Sequence, residues 1–242
     1  MNLSGFVVPE RGTDDVETAG EEAVTMKHLD ERIFESPAFA VETASMEVVH
    51  MGQITLENVK LAMEAVLTKN ADKVKEVYKT EKTINNMEKM LMEYLVKIDN
   101  LSLTEEQKLV INNLFYSIND IERVGDHAEN LVEQAEYMIQ HEITFSDTGA
   151  SDLEIICQAA YNSFFHSIEA RRKGDMEDVR KVSKWEDEVD LLEEELREKH
   201  IERLSSGGCK PSAGVVFLEL ISNLERISDH SYNLASYVKN EI

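Results

Sequence analysis

TEEQKLVINNLFYSINDIERVGDHAENLVEQA, residues Thr104 to Ala135, contains no proline and a single glycine. Its apolar residues fall at Val110, Leu114, Ile118, Ile121, Val124, Ala128, Leu131 and Ala135, with Ser117 beside Ile118. That alternation of three and four makes a helix with one buried seam, the spacing found in helical bundles. Thr104 and Gln107 have the capping-box spacing that opens such a helix, and the pattern reaches about His141.

Outward from this stretch the same grammar repeats. Ser36-Pro37 opens a helix running to about Leu67, Asn70 opens one ending near Asp99, and Ser151 to Glu154 reads as a second capping box. That fourth helix closes at Lys173-Gly174. A fifth runs from about Asp175 to Leu204, and a sixth starts at Pro211. Gly and Pro number 10 and 3 in 242 residues, and almost no period-two pattern signals a strand. The expectation is an all-α fold of six long helices.

Two halves are legible. Glu122-Arg123-Val124-Gly125-Asp126-His127 recurs as Glu225-Arg226-Ile227-Ser228-Asp229-His230. The run from Asn70 to Val77 likewise matches Asp175 to Val182, which carries Glu81 onto Glu186, Ile84 onto Val189 and Asn85 onto Asp190. The chain therefore divides into an acidic linker (1–35), a first three-helix repeat (36–145) and a second (146–242).

Each repeat stacks acids. Glu122 and Asp126 are four apart on a helix, as are Glu225 and Asp229, and Glu186 and Asp190. Like charges so spaced repel by roughly 0.2–0.5 kcal/mol per pair when exposed, and more as water is removed. Antiparallel neighbours joined by short loops bring these stations together. Two sites are expected: Glu81, Asn85, Glu122 and Asp126 in the first repeat, and Glu186, Asp190, Glu225 and Asp229 in the second. Oxygen ligands of this kind favour Mg²⁺, Mn²⁺, Ca²⁺ or ferric iron. His127 and His230, next to the aspartates, could reach a metal edge or orient a carboxylate, tilting preference toward iron or zinc. Asn85 costs the first site a charge, so the second is expected to be the better occupied.

Arg123 and Arg226 are read as pairing with nearby carboxylates across the bundle. The remaining histidines are taken as structural or solvated, the methionines as core filler, and Trp185 as packed at a helix seam. Cys157 and Cys209 share no metal-ligand spacing and read as reduced thiols. With 25 basic against 48 acidic residues the chain carries −23. Such a surface argues against nucleic acid and anionic lipid as partners. No apolar run approaches the roughly 20 residues a membrane helix needs, so insertion of this chain is not expected.

The segments Asp120 to Asn130 and Asn223 to Asn233 resemble the signature of the PhoU family of phosphate-uptake regulators. The resemblance spans about residues 37–240 and implies a tandem of three-helix bundles binding multinuclear metal clusters, most often iron and sometimes zinc. Its ligands would be Glu81, Glu122, Asp126, Glu186, Asp190, Glu225 and Asp229. Leu3 to Pro9, the acidic linker and Leu29 to Pro37 are similar to the junction that follows the last membrane helix of bacterial Na⁺/phosphate cotransporter-family proteins. That similarity implies a cytoplasmic tail at the inner face of the membrane. Its partners would be a transporter's membrane domain or phosphate-signalling proteins, with a homodimer left open. A non-catalytic regulator is expected. The rival is a carboxylate-bridged di-iron enzyme, which calls for two Glu-x-x-His motifs where this chain has only Glu47 to His50; a metal-free helical scaffold is the third reading.

Overall fold

The computed structural model describes residues 34–207 and 210–242. Six helices follow in order: α1 (Pro37–Thr68), α2 (Ala71–Asp99), α3 (Glu105–Gln140), α4 (Asp147–Lys173), α5 (Met176–Ser205) and α6 (Pro211–Glu241). The resemblance over Leu3 to Pro9, the acidic linker up to residue 33, and Cys209 lie outside the described residues. Among those described, no helix is long and apolar enough to cross a membrane.

Local chemistry sets the boundaries. Asn70 Oδ1 accepts the backbone N–H groups of Asp72 and Lys73, and Asp175 does the same for Glu177 and Asp178. At α3 both halves of the capping box form, Thr104 Oγ1 accepting from Gln107 N and Gln107 Oε1 from Thr104 N. One expected start is corrected: α4 begins at Asp147, not at Ser151. Ser146 is itself a capping residue whose Oγ accepts the Gly149 N–H, so the chain is already helical when it reaches Ser151.

Helices α1, α2 and α3 pack on one another, as do α4, α5 and α6. The two trios meet where α3 faces α6 and α1 faces α4, leaving α2 and α5 on the outside. At the second of these meetings the Ile168 side chain fills the space over Gly52: a Cβ added there would lie 2.4 Å from Ile168 Cδ1. The predicted α3 seam is buried from Leu114 to Ala135, whereas Val110, in its second turn, is only half-buried and Ile111 takes the inward place. The matched positions Val74 and Val179, Val77 and Val182, and Ile84 and Val189 are all buried, so the sequence repeat is also a packing repeat. Trp185 packs against the main apolar core. Cys157 is buried and free, its thiol pushed up to about 12 by desolvation, which keeps it protonated.

One ion pair ties the chain's end into this arrangement. Arg171 of α4, 6% exposed, gives Nη1 to both carboxylate oxygens of Glu241 at 2.9 and 2.7 Å. Asn113 of α3 donates to Glu241 as well, so the last turn of α6 is held by both neighbours. Removing one member of a buried pair leaves the other charge uncompensated. Glu241→Ala is therefore expected to lower unfolding stability by about 3 kcal/mol in urea titrations. Replacing Arg171 and Glu241 together by Met should cost less than that single change.

Candidate metal centre

The sequence places acids on α2 and α3 in one half and on α5 and α6 in the other; helix pairing decides which of them converge. In the second half, ligand atoms of Glu186 and Asp190 on α5 and Asp229 on α6 all lie within 4.8 Å of one another. Asp190 is exposed and the other two are half-buried, so the trio sits at the rim of the α5–α6 seam. Glu225 stands beside it: burial first, then repulsion from Asp229, raises its affinity for a proton, and Asp190 adds to the effect. Burial followed by repulsion from Asp190, Asp187 and Asp229 acts the same way on Glu186. Four predicted residues thus share one electrostatic neighbourhood, three of them within reach of a single ion.

The first half repeats the placement with a different depth. Glu81 of α2 is 2% exposed, and neither of its carboxylate oxygens has a hydrogen-bond partner. It fits because residue 125 is glycine: a Cβ there would lie 2.8 Å from Glu81 Oε2. Desolvation, then repulsion from Asp126, Glu129 and Glu122, pushes the Glu81 carboxyl up to about 8 from its ordinary 4.5. Glu122 is raised too, by burial, Asp126 and Glu88, with Arg123 and His230 opposing. In the second half Ser228 replaces Gly125, and its hydroxyl bonds Ser163 of α4 at 3.0 Å.

Three participants were missed by the sequence reading. Glu88 and Glu193 occupy matched positions, each seven residues after the α2 or α5 glutamate, on the same helical face. That shared offset was the signal for both. Glu129 follows Asp126 by three and stands where the second half has Tyr232, so it restores the negative charge that Asn85 withholds. The arginines differ from expectation as well. Arg123 pairs with Asp126 at 3.5 Å and Arg226 with Asp229 at 3.3 Å, each along its own helix rather than across the bundle. A further arginine, Arg197 of α5, pairs with Glu193 near Glu225.

His127 and His230 reach across the two halves. His127 Nδ1–H donates to Asn223 Oδ1 at 2.9 Å, an oxygen that also accepts from Asn130. His230 Nδ1–H donates to Asp120 Oδ1 at 2.7 Å, joined there by Asn233, while the Tyr237 hydroxyl binds Asp120 Oδ2 at 2.8 Å. The imidazoles stack on each other with centroids 5.6 Å apart. This is an exchange about a pseudo-twofold axis in which each repeat's histidine grips the other repeat's polar anchor. Committing Nδ1 in this way fixes the ring and leaves Nε2 as its remaining nitrogen. Other histidines among the described residues have separate partners: His166 bonds Asp178, His141 stacks on Tyr137 and His200 on Phe217.

The sign of the Glu81 shift gives a test. Unfolded chain loses this proton near pH 4.5 and folded chain only near 8, so folding takes up a proton between those values and stability falls as pH rises across them. In chelator-treated protein, Glu81→Gln is expected to exceed the wild type in urea resistance above about pH 8 and to lose that advantage below about pH 4.5.

A family model described as PhoU domain matches residues 48–135 and again 153–238. The phosphate-specific transport system accessory protein PhoU homolog 1 of Thermotoga maritima is 24% identical over 200 residues, covering 79% of this chain and 82% of its own. A homolog from Clostridium acetobutylicum is 22% identical over 212 residues, covering 84% and 91%. Among solved structures, PhoU from Pseudomonas aeruginosa superposes with a TM-score of 0.80 at 20% identity, over 85% of this chain and 98% of that one. The phosphate transport system regulatory protein PhoU from Streptococcus pneumoniae gives 0.77 at 14% identity, over 85% and 96%.

Proposed function

The chain belongs to the PhoU-domain family, and from that premise we infer a regulator of phosphate transport whose two carboxylate clusters hold metal ions. The observation that carries the metal reading is the pairing of a convergent trio, Glu186, Asp190 and Asp229, with a buried and unpartnered glutamate, Glu81, at the matched place in the other half. Packing acids this closely raises their proton affinity, and a divalent or trivalent cation relieves the same repulsion without a proton. The donor set fits. Carboxylate oxygens suit ferric iron, manganese or magnesium, and zinc accepts them as well. Iron is our choice among these. Glu186, Asp190, Asp229 and Glu225 would hold the ion of the second half, and Glu81, Glu122 and Asp126 that of the first.

A bound ion would supply a fixed charge that locks α2 to α3 and α5 to α6, setting the shape of the face shown to a transporter or a signalling protein. We read this as regulation and not catalysis. Glu47, of the lone Glu-x-x-His, is buried on α1, where it meets His50 at 3.5 Å, away from both clusters. The similarity of residues 3–37 to the junction in Na⁺/phosphate cotransporters supports a setting at the cytoplasmic end of such a transporter.

Elemental analysis of protein purified without an affinity metal tests the reading. Asp229→Asn and Glu186→Gln should each lower metal content with unchanged far-ultraviolet circular dichroism. Unaltered stoichiometry in both variants would refute the second site, and oxygen consumption on adding ferrous iron would favour the enzyme reading instead.

A further inference from the structure

Far from the acids, the α3–α4 connection, the last turns of α5 and the start of α6 surround a half-open cavity of about 340 Å³. Its lining is richer in cations than the strongly acidic chain as a whole. Two cationic side chains, Arg203 and Lys210, line it with His200, which burial and Arg203 hold toward its neutral form, and Glu142 is the one carboxylate among the described lining residues, in a protein carrying −23. His200 lies ten residues beyond Asp190 on α5, about 15 Å along the helix axis, so this is not an extension of the carboxylate cluster.

Arg203 is held in a fixed pose. Its Nη1 donates to Asp152 Oδ2 at 2.8 Å, and the guanidinium lies over the Phe217 ring, 5.5 Å from Cζ to the centroid. The other terminal nitrogen, Nη2, is shut off from solvent and has no hydrogen-bond partner. Because Nη2 is beyond the reach of water, what Arg203 offers the cavity is a positive charge held in one place by Asp152 and Phe217. The same cavity receives the start of α6, which opens on Pro211 with no side-chain cap among the described residues. The backbone N–H groups of Ser212 and Ala213 in that first turn, with the positive end of the helix dipole, favour negative charge at the same place. A fixed arginine, a lysine and the start of α6 thus line the same half-open space.

We propose that this cavity binds a small oxyanion of the phosphate class, either free or carried on a small organic molecule. Arg203 and Lys210 supply the charge, Ser212 and the α6 first turn supply neutral donors, and Phe217 gives the cavity an apolar floor. The site is independent of the metal reading: it uses none of the cluster residues.

The test is calorimetric titration of the full chain, kept in chelator so that no metal contributes, with inorganic phosphate and in parallel with phenyl phosphate. Saturable binding is expected. Lys210→Gln should weaken it about tenfold, the worth of one charge-assisted contact. Ser212→Asp should abolish it by placing a carboxylate in the cavity. That residue is exposed, and an acid in a first helical turn is favoured by the dipole, so the fold survives the change. Tighter binding of phenyl phosphate assigns the site to a phosphomonoester, and equal or weaker binding assigns it to free phosphate. Failure of both probes to bind, or binding indifferent to both substitutions, overturns the proposal.

Discussion

Two repeats become one molecule through the hydrogen-bond exchange between α3 and α6. His127 and Asn130 meet at Asn223, and His230, Asn233 and Tyr237 meet at Asp120, with the imidazoles stacked between them. Polar groups at a helix seam are tolerated only when each finds its partner, and these find theirs in only one register of α3 against α6. Everything functional in the fold is referred to that register. The acids following the same helices by known steps are thereby turned outward to meet α2 and α5. Asn113 of α3, donating to the Glu241 that Arg171 of α4 also holds, secures the far end of the same seam.

The clusters occupy the two outer seams, and their likeness conceals a difference. Ser228 bonds Ser163 and so belongs to the packing of α6 on α4, while Gly125 at the matched place is spent on making room for Glu81. Asp190 supplies a charge on α5 that Asn85 does not supply on α2, and Glu129 supplies one on α3 where α6 has Tyr232. The repeats have thus kept the number of nearby acids similar while moving them between helices. Descent from a duplicated unit explains the likeness, and separate adjustment of each seam explains the exchange.

How much of this was legible depended on whether the information was periodic or three-dimensional. Helix number, the repeat and the main α3 seam followed from spacing, because burial on one face imposes a period. The paired acids followed from the repeat. The start of α4 did not, because two capping residues, Ser146 and Ser151, stand within reach of the same helix and only geometry chooses between them. Cross-repeat partners of the histidines were hidden for another reason: the repeat marks Asp120 and Asn223 as matched positions, but only the packing of α3 on α6 pairs each with the other half's histidine. The same holds for Arg203, whose unmatched nitrogen exists only because Asp152 and Phe217 fix the rest of the side chain.

Depth, finally, has a kinetic side. A cation at Glu186, Asp190 and Asp229 would trade its waters directly with the surroundings, since Asp190 is open to them. One that engages Glu81 would have to reach carboxylate oxygens shut off from solvent beside Gly125. The room left by a single glycine would thus slow exchange in one half relative to the other, so that a brief change in ion supply would register in the second repeat before the first.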